Sequence, residues 1–438
     1  MNELAPTRRT FVKAGGSTLV GLATAPTLLS QRNPNDVIGI AVIGVGTQGH
    51  RLMQWAQDVP GTEIRVICDL YEGNLRRALK LCKNPRVRVV REWERAVEDR
   101  EVDAVIIATP DFWHAPMVIR AAQAKKDIYV EKGWCRFLWE AQQMRRAVKE
   151  NHVVMQLGHH YNSSPYYHRA REIYRSGQLG KVTLVRAYID RTGVTPFWKF
   201  YTDYSIVKPP EDASPETIDW ERFIANTRPH PFSVERFFTW RCWWDYGTGP
   251  AGDLMSHIWD GINMIMGIGI PEAVLTQGGI YFWKGDRDVP DVWNVIFEYP
   301  RQDLVIVFSC TFHNQFTGET TLLYGREKTL EVGERHCRVY PADWKPEHRE
   351  KLAELRRQAR QAGQDPTAVR LPPEYVMQPN ELQISTHMEN FLECVRTRQE
   401  PRCGVDRAFE EAVAIVMSVE SYFQGRKVRW DAEQERIV

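Results

Sequence analysis

The chain has 438 residues, of which 43% are hydrophobic, and its 57 lysines and arginines nearly balance its 56 aspartates and glutamates. This length is enough for two domains, because single hydrophobic cores seldom extend beyond roughly 250–300 residues. The near-neutral charge creates no global field for nucleic acid or an anionic membrane surface, so we expect a small-molecule partner. The eight cysteines form no CxxC pair and no regular series, which predicts buried free thiols.

The first 33 residues have the pattern of a targeting segment. Arg8 and Arg9 lie within Thr7–Lys13 and precede a mildly apolar stretch, Ala14–Leu29, that is too short for a membrane span. This order is typical of a twin-arginine export signal, with a disordered basic tail as the alternative. It predicts a signal and linker over residues 1–33, export of the folded protein to the periplasm or another extracytoplasmic space, and no membrane anchor after cleavage.

Strand and helix patterns alternate from residue 34 to residue 157. Apolar runs of strand length, separated by helical segments, are typical of a parallel sheet covered on both faces. The predicted strands are Val37–Ile43, Glu63–Cys68, Asp103–Ala108, Asp127–Val130 and Val153–Leu157. The predicted helices are Arg51–Gln57, Gly73–Cys82, Ala115–Ala124 and Leu138–Glu150. This alternation predicts a doubly wound α/β Rossmann domain over residues 34–157.

The pattern changes over residues 158–438, where strands follow one another without helices between them. The predicted strands are Lys181–Asp190, Ala273–Phe282, Val292–Tyr299, Leu304–Thr311, Thr320–Tyr324 and Thr329–Val332. They predict an antiparallel or mixed sheet in an α+β domain. Three helices are predicted after them: a charged surface helix at Glu347–Gly363, and amphipathic helices at Ser385–Arg396 and Asp406–Tyr422 that complete the fold.

A glycine-rich turn follows the first predicted strand and begins the first helix. Its sequence is Gly44-Val45-Gly46-Thr47-Gln48-Gly49, which matches GxGxxG and predicts contact between a dinucleotide pyrophosphate and the helix N-terminus. Asp69 ends the second strand, where a carboxylate accepts hydrogen bonds from ribose hydroxyls and repels a 2′-phosphate. We therefore expect NAD, and Arg76 and Arg77 downstream leave NADP as an alternative.

Further candidates follow later strands at the same carboxyl edge. Thr109 and Pro110 end one strand, and His114 lies near the start of the next helix, either to contact the cofactor or to pack the loop. Glu131 and Lys132 follow the strand Asp127–Val130, so the lysine is expected beside the nicotinamide ring. A lysine at this position stabilises negative charge that develops on a substrate oxygen.

A second group lies on a helix that follows Gly249-Pro250-Ala251-Gly252. Asp253, His257 and Asp260 are spaced at i, i+4 and i+7, which places them on one helical face. An aspartate one turn from a histidine orients the imidazole for removal of a proton, as oxidation of an alcohol requires. A histidine that only holds the helix by hydrogen bonds is the alternative.

Aromatic and histidine side chains are candidates for substrate binding. Trp243, together with Trp240 and Trp244, could stack on a sugar ring or pack in the core. His160 and Tyr161, just after the last strand of the first domain, are expected to line the same crevice. Zinc binding was considered for the histidines at positions 159, 160, 168 and 257, but no ligand spacing requires it, so we expect no metal.

From about Val37 to the C-terminus, the sequence resembles the Gfo/Idh/MocA oxidoreductases, named for glucose-fructose oxidoreductase and inositol dehydrogenase. The motifs that carry the resemblance are the glycine turn, Asp69, Thr109–His114, Glu131-Lys132, Gly252-Asp253 with His257, and Gly425–Trp430. The resemblance implies a large, open, mostly antiparallel sheet, a dimer or tetramer, and a site where Lys132, Asp253 and the base His257 meet. The usual Glu-Lys-Pro reads Glu-Lys-Gly here, so the restraint of the proline on the lysine is missing.

These features predict an NAD-dependent enzyme that transfers hydride to or from a sugar or polyol carbon. An exported enzyme has no pool of free NAD, so the hydride is expected to return within the same site. Two alternatives follow: transfer between two sugars, and a redox-neutral glycoside hydrolase that oxidises, eliminates, hydrates and reduces its substrate. A non-catalytic exported sugar-binding protein is a further alternative, because fold does not fix function.

Overall fold

The structure is a computed structural model that describes residues 37–193, 195–203, 205–285 and 287–438. The predicted export signal at residues 1–33 lies outside the described residues. Within the described ranges, no helix combines the length and the apolarity needed to cross a membrane. All eight cysteines are free thiols, and only Cys82 is not fully buried, in agreement with their irregular spacing.

The first sheet contains six parallel strands in the order β3-β2-β1-β4-β5-β6. The strands are β1 (Ile38–Ile43), β2 (Thr62–Cys68), β3 (Arg88–Val90), β4 (Ala104–Ile107), β5 (Asp127–Val130) and β6 (Met155–Leu157). The helices that alternate with them are α1 (Thr47–Asp58), α2 (Glu72–Leu81), α3 (Trp93–Glu98), α4 (His114–Gln123) and α5 (Leu138–Asn151). This is the predicted doubly wound Rossmann arrangement, with β3 and α3 added.

The central strands form because their residues are buried on both faces of the sheet. Every residue of β1, β4 and β5 is buried, which explains why these strands are continuous apolar runs in the sequence. The strand β3 was missed because two of its three residues are exposed. The strand order reverses between β1 and β4, so the crevice for a ligand lies at their carboxyl ends.

The second sheet contains ten strands in the order β14-β13-β12-β11-β7-β10-β9-β8-β15-β16, antiparallel except for the pair β7 and β10. Its strands in chain order are β7 (Val182–Ile189), β8 (Ala273–Gly279), β9 (Val292–Tyr299), β10 (Leu304–Thr311), β11 (Glu319–Gly325), β12 (Lys328–Gly333), β13 (His336–Pro341), β14 (Tyr375–Val376), β15 (Val428–Asp431) and β16 (Arg436–Ile437). The predicted strands are present, and β13 to β16 complete the edges. The expectation of an α+β fold with an open, mostly antiparallel sheet is confirmed.

One face of the second sheet packs on helices and the other is open. Buried residues alternate with more exposed ones along β9 and β10, as in a sheet covered on one side. The remaining helices of the described chain are α6 (Pro165–Arg175), α7 (Trp220–Ile224), α8 (Val234–Phe238), α9 (Ser256–Met266), α10 (Pro346–Gln361), α11 (His387–Thr397) and α12 (Val405–Gln424). Of these, α12 packs closely against β8, α5 and α9.

Helix α11 lies on the first sheet although it is almost at the end of the chain. Its apolar face, which includes Phe391, Leu392 and Val395, packs into one core with Ile40 of β1 and Leu52 of α1. The two sheets are therefore joined by a helix that returns from the second to the first.

Residues 205–246, which we call the cover segment, cross the end of the first sheet. Ile218 pairs with Tyr71 at the end of β2 in an isolated antiparallel bridge. The amide of Asp219 donates to the carbonyl of Leu70 at 2.9 Å, and the amide of Glu72 donates to the carbonyl of Thr217 at 3.0 Å. Because these residues directly follow Asp69, the cover segment lies beside the predicted ribose site.

Candidate active site

A cavity of about 730 Å³ lies at the carboxyl edge of the first sheet, between this edge and residues 191–257. Most of the residues predicted for the site line it: Gly44, Gly46, Thr47, Gln48, Asp69, Thr109, Pro110, Glu131, Lys132, His160, Asp253 and His257. Four predicted residues are not among those that line the cavity: Gly49, His114, Tyr161 and Trp243. The structure thus brings most of the predicted site residues together around one cavity, and it places the other four outside the cavity lining.

The glycine turn has three glycines with three different constraints. Gly44 has φ +84°, and a Cβ at this position would lie 2.8 Å from the carbonyl of Ala108. A Cβ at Gly49 would lie 1.8 Å from the carbonyl oxygen of Gly44, so this glycine allows α1 to pack on the turn and does not line the cavity. At Gly46 the nearest atom to an added Cβ is 3.9 Å away. Gly46 therefore leaves open space on the ligand side.

The first turn of α1 points into this space with unused donors. Gly46 is the N-cap residue and provides no side-chain cap, so the first amides of the helix have no partner within the helix. The side chain of Gln48 donates to Glu131 Oε1 at 3.1 Å, which links this turn to the Glu131-Lys132 loop. A helix N-terminus with free amides and a positive dipole fits the pyrophosphate of a dinucleotide.

Asp69 lines the cavity and also organises its wall. Its carboxylate accepts hydrogen bonds from the amides of Val45 at 2.8 Å and Tyr71 at 2.9 Å, and from the side-chain amide of Asn74. Burial raises the pKa of Asp69 and these hydrogen bonds lower it. The carboxylate therefore joins the glycine turn to the end of β2, a structural role that the motif alone did not reveal.

Arg76 and Arg77, which made NADP an alternative cofactor, bind other side chains and not the cavity. Arg76 pairs with Asp212 of the cover segment and Glu72 of α2. Arg77 donates to Asn74 Oδ1 at 3.3 Å and contacts His50. Neither arginine lines the cavity. Arg91 and Arg222 do line it, but Arg91 is paired with Glu72 and Arg222 with Asp219. With Asp69 in the wall and these arginines paired, the residues present fit NAD better than NADP.

Lys132 is held by Asp253 from the opposite wall. Its ammonium lies 2.5 Å from Asp253 Oδ1 and donates to the Asp253 carbonyl oxygen at 2.9 Å. Arg241 donates to the same carboxylate at 3.2 Å. Burial opposes ionisation of Asp253, but Lys132 and Arg241 lower its pKa. The Lys132–Gly133 peptide is cis, and the lysine reaches the cavity without the proline of the usual motif.

His257 lies in the cavity wall but is not paired with an aspartate, which corrects the prediction from helical spacing. Residues Ala251–Met255 form a π-helical turn before α9, so Asp253 and His257 are not in the phase of one regular helix. The Asp253 carboxylate contacts Lys132 and Arg241, and Asp260 is fully buried against Arg407 and Asn162. His257 Nδ1 is buried without a hydrogen-bond partner among the described residues.

The protonation of His257 follows from its surroundings. Burial lowers the pKa of His257 well below its usual value, and the positive charges of Lys132, His159, His160 and Arg191 lower it further. The imidazole is therefore neutral at physiological pH. A neutral imidazole beside an ammonium group is the arrangement in which the ring accepts a proton and the ammonium stabilises the oxygen left behind.

His114 has the contacts of the packing alternative. It is completely buried, and its ring bridges the carbonyl oxygens of Gly133 and Thr109, each at 2.9 Å. Burial lowers its pKa, and the hydrogen bonds to these two carbonyls oppose that shift. It joins the two loops whose other residues, Pro110 and Lys132, line the cavity.

Two predicted substrate residues lie behind the cavity wall. The Tyr161 hydroxyl donates to Glu319, and its ring packs against Tyr167 and His257. The Trp243 ring lies under the guanidinium of Arg236, 4.0 Å from its Cζ. Trp240, which the sequence offered together with Trp243 as a stacking candidate, lines the cavity instead. Neither helix periodicity nor composition distinguishes these two tryptophans, because both lie in an irregular segment.

Several residues that line the cavity were not predicted. They include Asn74 and Trp113 beside the ribose site, Arg191 and Trp198 at the opposite end, and Arg222, Phe223, Phe237 and Phe238 from the cover segment. Only Trp113 carried a signal, because it lies within the Thr109–His114 motif. The others come from loops that no local pattern places at the cavity.

A buried acid supports this wall from behind. Asp111 accepts hydrogen bonds from the amide and hydroxyl of Thr248, each at 3.3 Å. Burial raises its pKa to about 7, a rise that Lys132 opposes and Asp253 increases. Within the described part of the chain, no group of three or more His, Cys, Asp or Glu side chains is arranged to hold a metal ion.

The chain is similar to known oxidoreductases, most clearly over its Rossmann domain. Residues 38–159 match the GFO_IDH_MocA family model, described as an oxidoreductase family with an NAD-binding Rossmann fold. An uncharacterized oxidoreductase of Streptococcus pneumoniae serotype 4 is 32% identical over 62% of this chain and 62% of its own length. The scyllo-inositol 2-dehydrogenase (NAD(+)) of Bacillus subtilis is 29% identical over 36% of this chain and 45% of its own length.

A hydrolase and a solved structure are also similar. The alpha-N-acetylgalactosaminidase of Shewanella oneidensis is 28% identical over 28% of this chain and 33% of its own length. The matches thus span less than two thirds of these relatives. A levoglucosan dehydrogenase in complex with NADH and levoglucosan superposes with a TM-score of 0.65 at 18% identity, over 90% of this chain and 99% of that one, which shows the shared fold. The Rossmann domain thus matches the Gfo/Idh/MocA family model, and the fold of the chain is similar to that of the levoglucosan dehydrogenase.

Proposed function

We propose that the protein is an NAD-dependent oxidoreductase that transfers hydride to or from a carbon of a sugar or polyol. One observation carries the proposal: Lys132, fixed by Asp253, and the neutral His257 line the same cavity as the glycine turn and Asp69. Bound NAD supplies a hydride acceptor at its nicotinamide ring. The names of relatives that act on scyllo-inositol and levoglucosan support this substrate class.

The side chains divide the chemistry between them. The neutral imidazole of His257 accepts the proton of the substrate hydroxyl. The Lys132 ammonium donates a hydrogen bond to the same oxygen and stabilises the negative charge that develops on it. Asp253 holds Lys132 and Arg241 in place and acts as a positioning residue. The roles of lysine and histidine thus agree with the sequence prediction, while the aspartate serves the lysine.

The far end of the cavity is suited to a sugar ring. The Trp240 indole lines it, and the Arg241 guanidinium lies 4.2 Å from the centre of that ring. An indole face packs on the apolar face of a sugar, and a guanidinium donates to its hydroxyls. His160 also lines the cavity, and its ring contacts Trp55 and His387. The aromatic contact is therefore expected from Trp240 and not from Trp243.

Substitution of the two catalytic residues tests the proposal. NADH absorbance would be followed after the protein with bound NAD is mixed with scyllo-inositol or levoglucosan. Lys132→Met and His257→Asn should each lower kcat by about 10²-fold or more, because general-base and electrostatic contributions have this size. Titration of tryptophan fluorescence should show that both variants still bind NAD.

The matched control is His313→Asn, because His313 is an exposed histidine in the loop after β10 that does not line the cavity. It should leave turnover unchanged. Full turnover by His257→Asn would overturn the assignment of the base. Tight sugar binding with no turnover in the unmodified protein would favour the non-catalytic sugar-binding alternative.

One observation favours the redox-neutral glycoside hydrolase as a second candidate: the cover segment encloses the ribose end of the cavity. Phe223, Phe237 and Phe238 line the cavity from this segment. Tyr71, next to Asp69, donates from its hydroxyl to Asp212 of the segment at 2.5 Å. A cofactor enclosed in this way dissociates slowly, so its hydride is expected to return to the substrate. The hydrolase among the relatives supports the same reaction.

Two measurements separate the candidates. Incubation with 4-nitrophenyl α-N-acetylgalactosaminide in deuterated water should release sugar with deuterium at a ring carbon and without NADH if the hydrolase is correct. NADH that accumulates without bond cleavage supports the dehydrogenase. Exchange of bound NAD with isotopically labelled NAD, followed by mass spectrometry, should be slow in the unmodified protein and faster in Tyr71→Phe.

We further propose export by the twin-arginine route and assembly into a homo-oligomer. Export rests on the sequence Thr7–Lys13 and would be tested by fractionation of cells that produce wild-type protein or a variant with Arg8 and Arg9 replaced by lysine. Assembly is supported by apolar side chains on the open face of the second sheet, such as Ile296 and Val305. Light scattering of the Ile296→Arg variant tests it.

A further inference from the structure

A buried acid and imidazole lie directly behind the proposed base. His159 follows β6, and Glu411 lies on α12, so two distant parts of the chain bring them together. The distance from His159 Nε2 to Glu411 Oε2 is 2.5 Å, and both side chains are completely buried. An ion pair in the protein interior is costly to desolvate and seldom contributes stability that apolar residues would not provide. Stability alone therefore does not explain why this pair is buried here.

The charges around the pair place the proton on His159. Burial favours a neutral ring, but Glu411, and to a smaller extent Asp260, raise the pKa of His159 against the opposing charge of Lys132. Burial raises the pKa of Glu411 above its usual value, and His159 and Arg407 only partly oppose this rise. Arg407 also neutralises Asp260, at 2.7 Å, so Glu411 is the carboxylate left to pair with His159.

The ring of His159 contacts the ring of His257. Their centres are 5.3 Å apart and their planes lie at 88°, an edge-to-face contact. On another side, the Tyr161 ring lies 5.6 Å from His257. These contacts fix the orientation of the base. A positive charge at this distance also opposes a second positive charge on His257, in the same direction as Lys132, His160 and Arg191.

We propose that Glu411 and His159 are positioning residues for the base: Glu411 keeps a proton on His159, and the charged ring, edge-on to His257, keeps His257 unprotonated and correctly oriented. The inference rests on the proposed function, in which His257 accepts the substrate proton. It explains why a buried pair lies against a catalytic side chain. It also assigns a functional role to His159 and Glu411, although neither residue lines the cavity.

Nuclear magnetic resonance of the full chain with bound NAD and ¹⁵N-labelled histidine rings tests this without a substrate. Signals would be assigned with His159→Gln and His257→Gln. Between about pH 6 and 8, His159 should keep both ring nitrogens protonated and His257 should remain neutral. In Glu411→Gln, His159 should become neutral, and the titration of His257 should move to higher pH by up to about one unit, because the loss of positive charge on the His159 ring that contacts His257 outweighs the loss of the Glu411 carboxylate behind it.

Two further variants test whether the shift in the His257 titration comes from the loss of charge or from disturbed packing. Glu411→Asp keeps the charge and should return the His257 titration toward that of the unmodified protein. The double variant His159→Phe/Glu411→Leu removes both charges and leaves an apolar core, so it should fold and show the same upward shift as Glu411→Gln. A neutral His159 in the unmodified protein, or an unchanged His257 titration in either charge-removing variant, overturns the proposal.

The outcome is distinguishable from failure of the proposed function. If His257→Asn turns over scyllo-inositol or levoglucosan normally, the base is assigned wrongly and both proposals fall. If His257→Asn is inactive while the His257 titration is unaffected by loss of Glu411, only the role of the buried pair is overturned.

Discussion

Replacement of Gly49 with alanine is expected to destabilise the protein, whereas replacement of Gly46 is expected to weaken NAD binding in a protein that still folds. A Cβ at Gly49 would lie 1.8 Å from the carbonyl oxygen of Gly44 and 2.9 Å from its carbonyl carbon, and both are backbone atoms. At Gly46, the nearest atom is Asn74 Nδ2 at 3.9 Å, and φ is −72°, which alanine adopts without strain.

The size of each effect follows from these distances. Relaxation of the Gly49 contact to a C···O separation of roughly 3.3 Å requires α1 to move by about 1.5 Å (3.3 − 1.8). Overpacking typically costs about 1–3 kcal/mol, and a backbone clash belongs at the upper end, which corresponds to a loss in Tm on the order of 5 °C or more. A methyl group at Gly46 occupies the space expected for the pyrophosphate, so we expect the Kd for NAD to rise at least about tenfold, or about 1.4 kcal/mol.

Thermal unfolding with and without NAD, together with fluorescence titration, measures both quantities. Gly49→Ala should lower the Tm in the absence of NAD, and Gly46→Ala should keep that Tm but lose most of the increase that NAD produces. The reasoning is refuted if Gly46→Ala binds NAD as tightly as the unmodified protein, because the glycine turn would then not contact the cofactor. An unchanged Tm for Gly49→Ala would refute the packing argument.

Three further predictions concern the cavity and its support. Because the pKa of His257 lies well below 6.5, kcat/KM should stay constant as the pH falls from about 8 to 6.5 and decline only below that range, as measured by initial rates. The folded-state pKa of Asp111 is raised from 3.8 to about 7, so the stability associated with its protonation is complete below pH 3.8 and is lost as the pH rises through 7. Asp111→Asn should therefore match the unmodified protein only below about pH 3.8, exceed its stability by about 1.6 kcal/mol near about pH 5 ((5 − 3.8) × 1.36), and unfold at a still higher Tm near about pH 8, with a limit of about 4 kcal/mol ((7 − 3.8) × 1.36); equal Tm values at pH 8 would contradict this. Trp240→Ala should raise KM for the sugar several-fold with little change in Tm, whereas Trp243→Ala should lower the Tm and leave KM unchanged. The reverse pattern in steady-state kinetics and thermal unfolding would show that Trp243 contacts the substrate.

Much of the first sheet was predictable because its determinants are local. The strands at its centre are apolar runs bounded by turns, and β5 begins and ends at the predicted residues. The glycine turn and Asp69 occupy fixed places in one strand–helix–strand unit, so the sequence places them at the carboxyl edge. The edge strand β3 escaped prediction because its exposed residues lack an apolar run.

The group of candidate residues around α9 was predicted in part. The family resemblance placed His257 at the cavity that it lines, whereas helical spacing paired the histidine with Asp253 and Asp260. The π-helical turn at Ala251–Met255 changes the phase between Asp253 and α9, and no composition signal marks such a turn. Once the phase changes, the charge on Lys132 decides which group the Asp253 carboxylate contacts.

The sequence by itself therefore determined the Rossmann domain, the glycine turn, Asp69 at the end of the second strand and the presence of Lys132 at the carboxyl edge. Each of these depends on periodicity or on motifs within a short stretch of chain. Only the tertiary structure decided that Trp240 and not Trp243 lines the cavity, that His114 is buried, and that Glu411 lies behind His257 through His159. These results depend on contacts between residues far apart in the chain, and local patterns do not encode which distant side chain fills a given space.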